Sequence, residues 1–315
     1  METTGKKFKW KQAYTVPVIL VAIWVILGFA TTGFATTSNI VNLLRQTSVL
    51  GVAAIGASFV IISGETDLSV GSVMGVAGMM VTTFISMGWP IPVAVIVTLI
   101  GGTAIGMLNG IIVRTTGIPS FIATMGTMTA FRGIAEIISG GLIVSGMPAE
   151  YKSFSSSTFL GIPLLVWIFI VVAVVFGVLL SKTLFGRNVY AVGSNAAVAQ
   201  LSGISVNKIK IAAFAISGFC GALAGLMFSL RMGQGLPTAG AGYELDCIAS
   251  AVIGGASFTG GEGIIFGTVV GSFLIQTLQN GGNLLGISSF SLEVVTGIVL
   301  IVAVAIDTIS KRKRK

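Results

Sequence analysis

Apolar runs alternate along the chain with short breaks rich in glycine and polar residues. The runs lie at about 13–34, 48–63, 69–87, 91–113, 117–139, 163–181, 209–231, 245–258, 262–280 and 290–309. At about 1.5 Å of rise per residue, most are long enough as helices to cross a hydrocarbon layer of about 30 Å. The run at 245–258 is short for a full crossing. The pattern predicts an all-α polytopic membrane protein of about ten transmembrane helices, forming a single transmembrane domain over 1–315. The first run is long for the apolar core of a signal peptide and no A-x-A site follows it, so an uncleaved first span is expected.

The longest polar interruption is 186–210, GRNVYAVGSNAAVAQLSGISVNKIK. Inside it the residues mark both ends of one short helix. Ser194 or Asn195 can accept from the first free N–H groups. Gly203 suits the left-handed position after the last turn, with Ile204 as the apolar residue beyond it. Ala197, Val198 and Leu201 share a face. Two turns of helix are not stable alone in water, so the segment must be held from either side. An apolar-faced helix pinned at the cytoplasmic surface suggests a contact for a soluble partner; a plain connector between two spans is the other reading.

Composition narrows the class. The chain is 54% hydrophobic and only 9% charged, which excludes a soluble domain of this size. Its 43 glycines suit close helix packing in lipid, where small residues let backbones approach. There is no histidine, and Cys220 and Cys247 stand isolated in or beside apolar runs. They make neither a zinc site nor a disulfide framework, and core packing is expected of them. A net charge of +8 invites a nucleic-acid reading, but the cations collect at the termini and in a few loops. With the N-terminus inside, fourteen of the eighteen cations fall on the cytoplasmic side, in Lys6 to Lys11, Arg114, the central loop and the tail from Lys311. Arg45, Lys152 and Arg231 fall outside, and Arg132 lies within a span. That bias predicts cytoplasmic N- and C-termini, which requires an even number of spans.

The chain also repeats itself weakly. Glu65-Thr-Asp67 opens the third run and Glu244-Leu-Asp246 the eighth, with Val73, Gly75 and Ala77 matching Val252, Gly254 and Ala256. Gly102-Thr103-x-x-Gly106 recurs as Gly267-Thr268-x-x-Gly271, Asn109-Gly110 as Asn280-Gly281, and the motif from Gly117 to Phe121 as that from Gly286 to Phe290. The matches keep their order and lie five spans apart, so the copies cross in opposite senses. Such an inverted repeat, of spans 2–5 and 7–10, is a transporter feature.

Catalytic chemistry is not written in the chain. No G-x-x-x-x-G-K-[ST] loop occurs, and no metal or nucleophile constellation either. Each Asp of the Glu-x-Asp pairs precedes an apolar helix, where a short acceptor caps free N–H groups; ion coupling is the alternative. Arg132 and Glu136 are opposite charges one turn apart within a span, and in hydrocarbon they must face the bundle or a wet path. They read as an ion pair or as pathway lining. Phe121, Phe131 and Phe290 are scattered candidates for stacking on a sugar.

Several stretches resemble the permease subunit of bacterial ABC importers for ribose and related monosaccharides. They are Ile62 to Ser72, Phe121-Ile-Ala-Thr124, Phe131-Arg-Gly133, Leu201-Ser-Gly-Ile204, Pro237 to Asp246 and Asn283 to Ile287, and together they span about 40–310. The resemblance implies an ABC importer permease fold in the bacterial plasma (inner) membrane, a homodimer, cytoplasmic ATPase subunits and an extracytoplasmic sugar-binding protein. It also implies ATP and Mg bound by the ATPase rather than by this chain, and no enzyme activity of its own. The family's coupling-helix role carries over onto Asn195, Ala197, Val198, Leu201, Gly203 and Ile204. Arg132, Glu136, Phe121 and Phe290 are then pathway candidates, and Arg231, Arg45 and Lys152 docking candidates for the binding protein. The serine-rich tract 153–158 departs from the family pattern. Ribose is the first expectation for the sugar, with xylose, allose, galactofuranose and autoinducer sugars sharing much of the pattern. An ion-coupled secondary transporter is the rival class, since it too explains an inverted repeat.

Overall fold

An apolar backbone withdrawn from water must satisfy its own N–H and C=O groups, and a helix does so within one segment. Each of the ten apolar runs accordingly becomes a helix in the computed structural model, which describes the backbone of residues 3–312 and the side chains of 15–305 and 309. The side chains of Lys6, Lys7, Lys9 and Lys11 and the cationic tail from Lys311 lie outside the described residues. In chain order the elements are α1 (Thr3–Ala30), α2 (Thr37–Ile62), α3 (Val70–Ser86), α4 (Ile91–Thr116) and α5 (Ser120–Ser139). Then come α6 (Ala149–Ser156), the strands β1 (Thr158–Phe159) and β2 (Ile162–Pro163), α7 (Leu164–Lys182), α8 (Leu184–Ser194) and α9 (Ala196–Leu201). The last four are α10 (Val206–Met232), α11 (Tyr243–Ile253), α12 (Ile265–Leu284) and α13 (Ser289–Arg312). Among the described residues, α2, α4, α5, α7 and α10 are each long and apolar enough to cross a membrane.

Three departures from the hydropathy pattern have local causes. Helix α2 begins at Thr37 rather than near 48, because the Thr36 hydroxyl accepts from Asn39 N and starts the helix through a polar stretch. Arg45 therefore lies inside α2 and not in a loop. The break at 140–162 is not a bare loop: it holds α6, anchored by the buried Tyr151, whose hydroxyl pairs with Ser229 Oγ at 2.6 Å, and the β1–β2 hairpin. Burial pushes the Tyr151 phenol up to about 12. The polar loop 186–210 holds two helices instead of one. The unexpected one, α8, includes Gly186 and Gly193, whose missing side chains leave room for backbone; a Cβ on Gly193 would strike Ile62 O.

Helices α2 and α10 form the centre. α2 is buried without a break from Thr47 to Ile62, and α10 packs against α2, α3 and α4. The α4–α10 contact is backbone on backbone, since a Cβ on Gly106 would strike Phe214 O and one on Gly218 would strike Gly102 O. Close approach of this kind replaces hydrophobic drive as the source of helix association in lipid. The outer faces of α1, α4, α5, α7 and α13 expose large apolar side chains, among them Ile26, Ile100, Ile137, Val174 and Ile298.

Depth along the bundle can be read from α10, whose 27 residues rise roughly 40 Å from the α9 end to the far end. Two of the ten apolar segments are only partly helical. Residues 65–69 run extended along α10, from Glu65 beside Lys210, past Asp67 beside Ser217, to Val70 beside Gly221, before α3 begins. From the far end, residues 235–240 run back along α3, from Gly235 at Thr82, past Ala239 at Gly75, to Gly240 at Gly71. Helix α11 starts there and covers only 11 residues. The loop after it reaches the α9 end, where Gly261 N donates to Ile62 O. The short run at 245–258 is thus half helix and half turn, and the turns at 237–242 supply the rest of its path.

Candidate functional site: two interrupted crossings and an exposed short helix

Extended backbone inside an apolar bundle leaves its N–H and C=O groups without partners, and side chains must supply them. For 65–69, helix α5 does this. Ser120 Oγ accepts from Thr66 N at 3.0 Å and Thr124 Oγ1 from Leu68 N at 3.1 Å. Asp67 accepts from Ser69 N and Ser69 Oγ through one oxygen, and from Ser217 Oγ of α10 at 2.7 Å through the other. Asn109 of α4 donates to Ser69 Oγ at 2.7 Å. Below this network, Lys210 Nζ meets Glu65 Oε1 at 2.5 Å, both side chains nearly out of solvent. The expectation that Asp67 caps α3 is corrected here. Helix α3 has Ser69 at its N-cap and no side-chain cap bond, and Asp67 instead ties the turn to α10.

The second break is built differently. Asp246 sits inside the first turn of α11 and accepts from Gln279 Nε2 of α12 at 2.9 Å, so it too is a crosslink rather than a cap. Glu244 reaches back through Oε1 to Gly242 N, while its buried Oε2 has no partner. Arg132 of α5 donates to Ala239 O at 2.6 Å, tying α5 to the turns before α11 as Ser120 and Thr124 tie it to the stretch before α3. Among the described residues Arg132 and Glu136 make no direct ion pair, the first of the two readings: Glu136 is exposed, and the guanidinium turns to Ala239 O. Phe121 and Phe290 lie on the outer surface of the chain, 51% and 81% exposed.

At the α9 end the short helix stands clear. Asn195 Oδ1 accepts from Val198 N at 3.1 Å, making it the cap of the two candidates. Gly203 adopts φ +82, Ile204 N donates to Ala199 O and Gly203 N to Gln200 O, the paired closure that a left-handed residue permits. Ala199 packs inward on Val192 and Val206. Ala197, Val198 and Leu201 point out, Leu201 being 88% exposed. The support beneath is Gly193 on Ile62 O, and Tyr190, whose hydroxyl donates to Gly263 O at 2.6 Å.

At the far end, Lys152 lies against Gly233 with its aliphatic stem, and Arg231 stands within electrostatic reach of Arg45 and Tyr243. Arg45 keeps a buried Nε without a partner. Cys220 and Cys247 are free and fully buried. Among the described residues no three His, Cys, Asp or Glu side chains gather as a metal site would require.

Sequence reasoning passed over Ser120, Thr124, Ser217 and the role of Lys210. The signal available for them was the polar run Glu65 to Ser69, whose backbone had to be satisfied by someone. Of the repeated motifs, both asparagines prove to be buried crosslinks, Asn109 to Ser69 and Asn280 in a reciprocal amide pair with Asn39.

A helical chain with apolar outer faces, interrupted segments at its centre and a polar network around each break is a polytopic membrane permease. Residues 39–304 match the family described as branched-chain amino acid transport system / permease component, and the chain belongs to it. It is 41% identical to the ribose import permease protein RbsC of Haemophilus influenzae over 94% of this chain and 92% of that one. It is 41% identical to the ribose import permease of Bacillus subtilis, over 90% and 88% respectively, and 39% identical to the xylose transport system permease protein XylH of Haemophilus influenzae, over 97% and 100%. No solved structure matches the chain.

Proposed function

We propose that this chain is the permease subunit of an ATP-driven importer that carries a monosaccharide, ribose first among them, across the bacterial plasma membrane. The observation that carries the reading is the near full-length likeness to ribose import permeases. It favours an importer subunit over an ion-coupled carrier. The chain itself does no covalent chemistry; a separate ATPase subunit binds ATP and Mg and hydrolyses the nucleotide.

In this reading the α9 end faces the cytoplasm, and the exposed face of Ala197, Val198 and Leu201 seats the ATPase. Both caps make α9 a rigid lever, so motion of the ATPase reaches the Ile62, Gly193 and Gly263 contacts without being lost in a floppy loop. The ten apolar helices are ten crossings, eight unbroken and two interrupted, arranged as an inverted repeat of spans 2–5 and 7–10. The exposed faces of α5 and α13, which carry Phe121 and Phe290, pack on a second copy of the chain, and the sugar passes near that seam. Arg231, Arg45 and Lys152 at the far end receive the sugar-binding protein, where a few charges speed and orient the encounter.

The test is reconstitution. The permease co-expressed with its ATPase, in proteoliposomes supplied with the binding protein, is expected to take up D-ribose only with ATP, and ATP hydrolysis is expected to rise with the loaded binding protein. Uptake driven by an ion gradient without ATP would overturn the reading.

A further inference from the structure

Between the start of α11, the last turns of α12 and the first turns of α13 lies a cavity of about 530 Å³. That is within the roughly 300–1,000 Å³ range of small-molecule sites. Its lining mixes polar side chains, Asp246, Gln279, Asn283, Glu293 and Thr296, with apolar ones that include Leu300 and Tyr243. Asp246 is only 9% exposed, and among the described residues its Oδ2 takes Gln279 Nε2 while its Oδ1 accepts from no group. A carboxylate buried inside a membrane bundle, as that of Asp246 is, faces the bundle interior or a water-filled cavity. No Lys or Arg lines the cavity, and two carboxylates within electrostatic reach of each other repel an anion.

The geometry points to this cavity as a binding site for a neutral polyhydroxylated solute of monosaccharide size, one in each subunit, lined by the far-end turns of α12 and α13. Sugar hydroxyls donate to carboxylates and both donate to and accept from amides, and the Asp246 Oδ1 left open is an acceptor waiting for such a donor. The Leu300 and Tyr243 side offers an apolar wall to the C–H face of a sugar ring. The inference rests on the importer reading above and places the cargo where α13 meets α11 and α12, beside the seam that α13 forms with the second copy, rather than on the Phe121 and Phe290 rings themselves.

The test uses the full assembly in nanodiscs with Thr296→Cys labelled by a membrane-impermeant maleimide; the native Cys220 and Cys247 are fully buried and give little background. D-ribose or D-xylose at ten times the half-protecting concentration is expected to slow labelling about tenfold, as simple occupancy dictates. Asp246→Asn is expected to raise the half-protecting concentration about tenfold, the loss of one hydrogen bond to a charged acceptor. It should also change the ribose-to-xylose uptake ratio. If Asp246→Asn does not assemble, Leu300→Trp, which fills the cavity, is expected to abolish protection. Equal labelling with and without sugar, or protection by spermidine and not by sugar, would overturn the site. Unprotected Thr296→Cys in an assembly that still imports sugar defeats the cavity alone, whereas a wild-type assembly that imports no sugar defeats the importer reading.

Discussion

Lys210 shows how one residue's surroundings change its meaning. Along the sequence it is one more cation near a cytoplasmic loop. In the fold its side chain is 10% exposed and meets Glu65, 12% exposed, at the foot of the first extended stretch. A buried pair of this kind adds little net stability, because desolvating both ions offsets their attraction, yet removing one partner strands the other at about 3–5 kcal/mol. Lys210→Met and Glu65→Gln are each expected to lower stability by about that much, and the double variant to recover most of it. Thermal unfolding in detergent measures the cycle; simple additivity would mean the two charges do not interact in the membrane. Asp67 follows the same logic. Its place before an apolar helix suggests a cap, but its three bonds to Ser69 and Ser217 make it a fastener between elements.

At the scale of elements, α9 was legible because its ends are chemical statements: an amide that accepts from the third N–H, and a glycine that can turn left-handed. Gly203→Val places a β-branched side chain at φ +82, at a cost of about 1–2 kcal/mol or more. That is small against a membrane bundle and large against a helix of six residues. The variant is expected to insert and fold but to co-purify poorly with the ATPase, while Gly203→Asn, which tolerates this conformation, retains more of the complex. Normal co-purification of Gly203→Val would remove the capping argument. Helix α8, with its Gly186 and Gly193, was not legible, since it lies across the start of the stretch that reads as one polar interruption with a single short helix. The two glycines serve to admit the Leu180 and Ile62 carbonyls, a reason that exists only once those helices are packed. The bonds that α5 makes were illegible for a similar reason: Ser120 and Thr124 look like ordinary polar positions, and Arg132 reads as a partner of Glu136 or a pathway residue, until non-helical backbone needs them.

For the whole molecule, the cation distribution and the even helix order predict that both termini lie in the cytoplasm. Alkaline phosphatase fused after Lys315 is expected to be inactive, and the same enzyme inserted in the serine-rich 153–158 tract active; the reverse pattern would overturn the orientation. Hydropathy by itself determined the all-helical class, the positions of the ten apolar helices and the short eighth run, because burial of apolar surface and internal hydrogen bonding act on each segment alone. What only the tertiary structure decided is where chain runs extended through the bundle, which side chains satisfy it, and which charges meet: Asp67 with Ser217, Arg132 with Ala239, Lys210 with Glu65. Those pairs join residues far apart in the chain, and no local period encodes them. They exist because a backbone interrupted inside an apolar bundle must find partners from whatever helices pack around it.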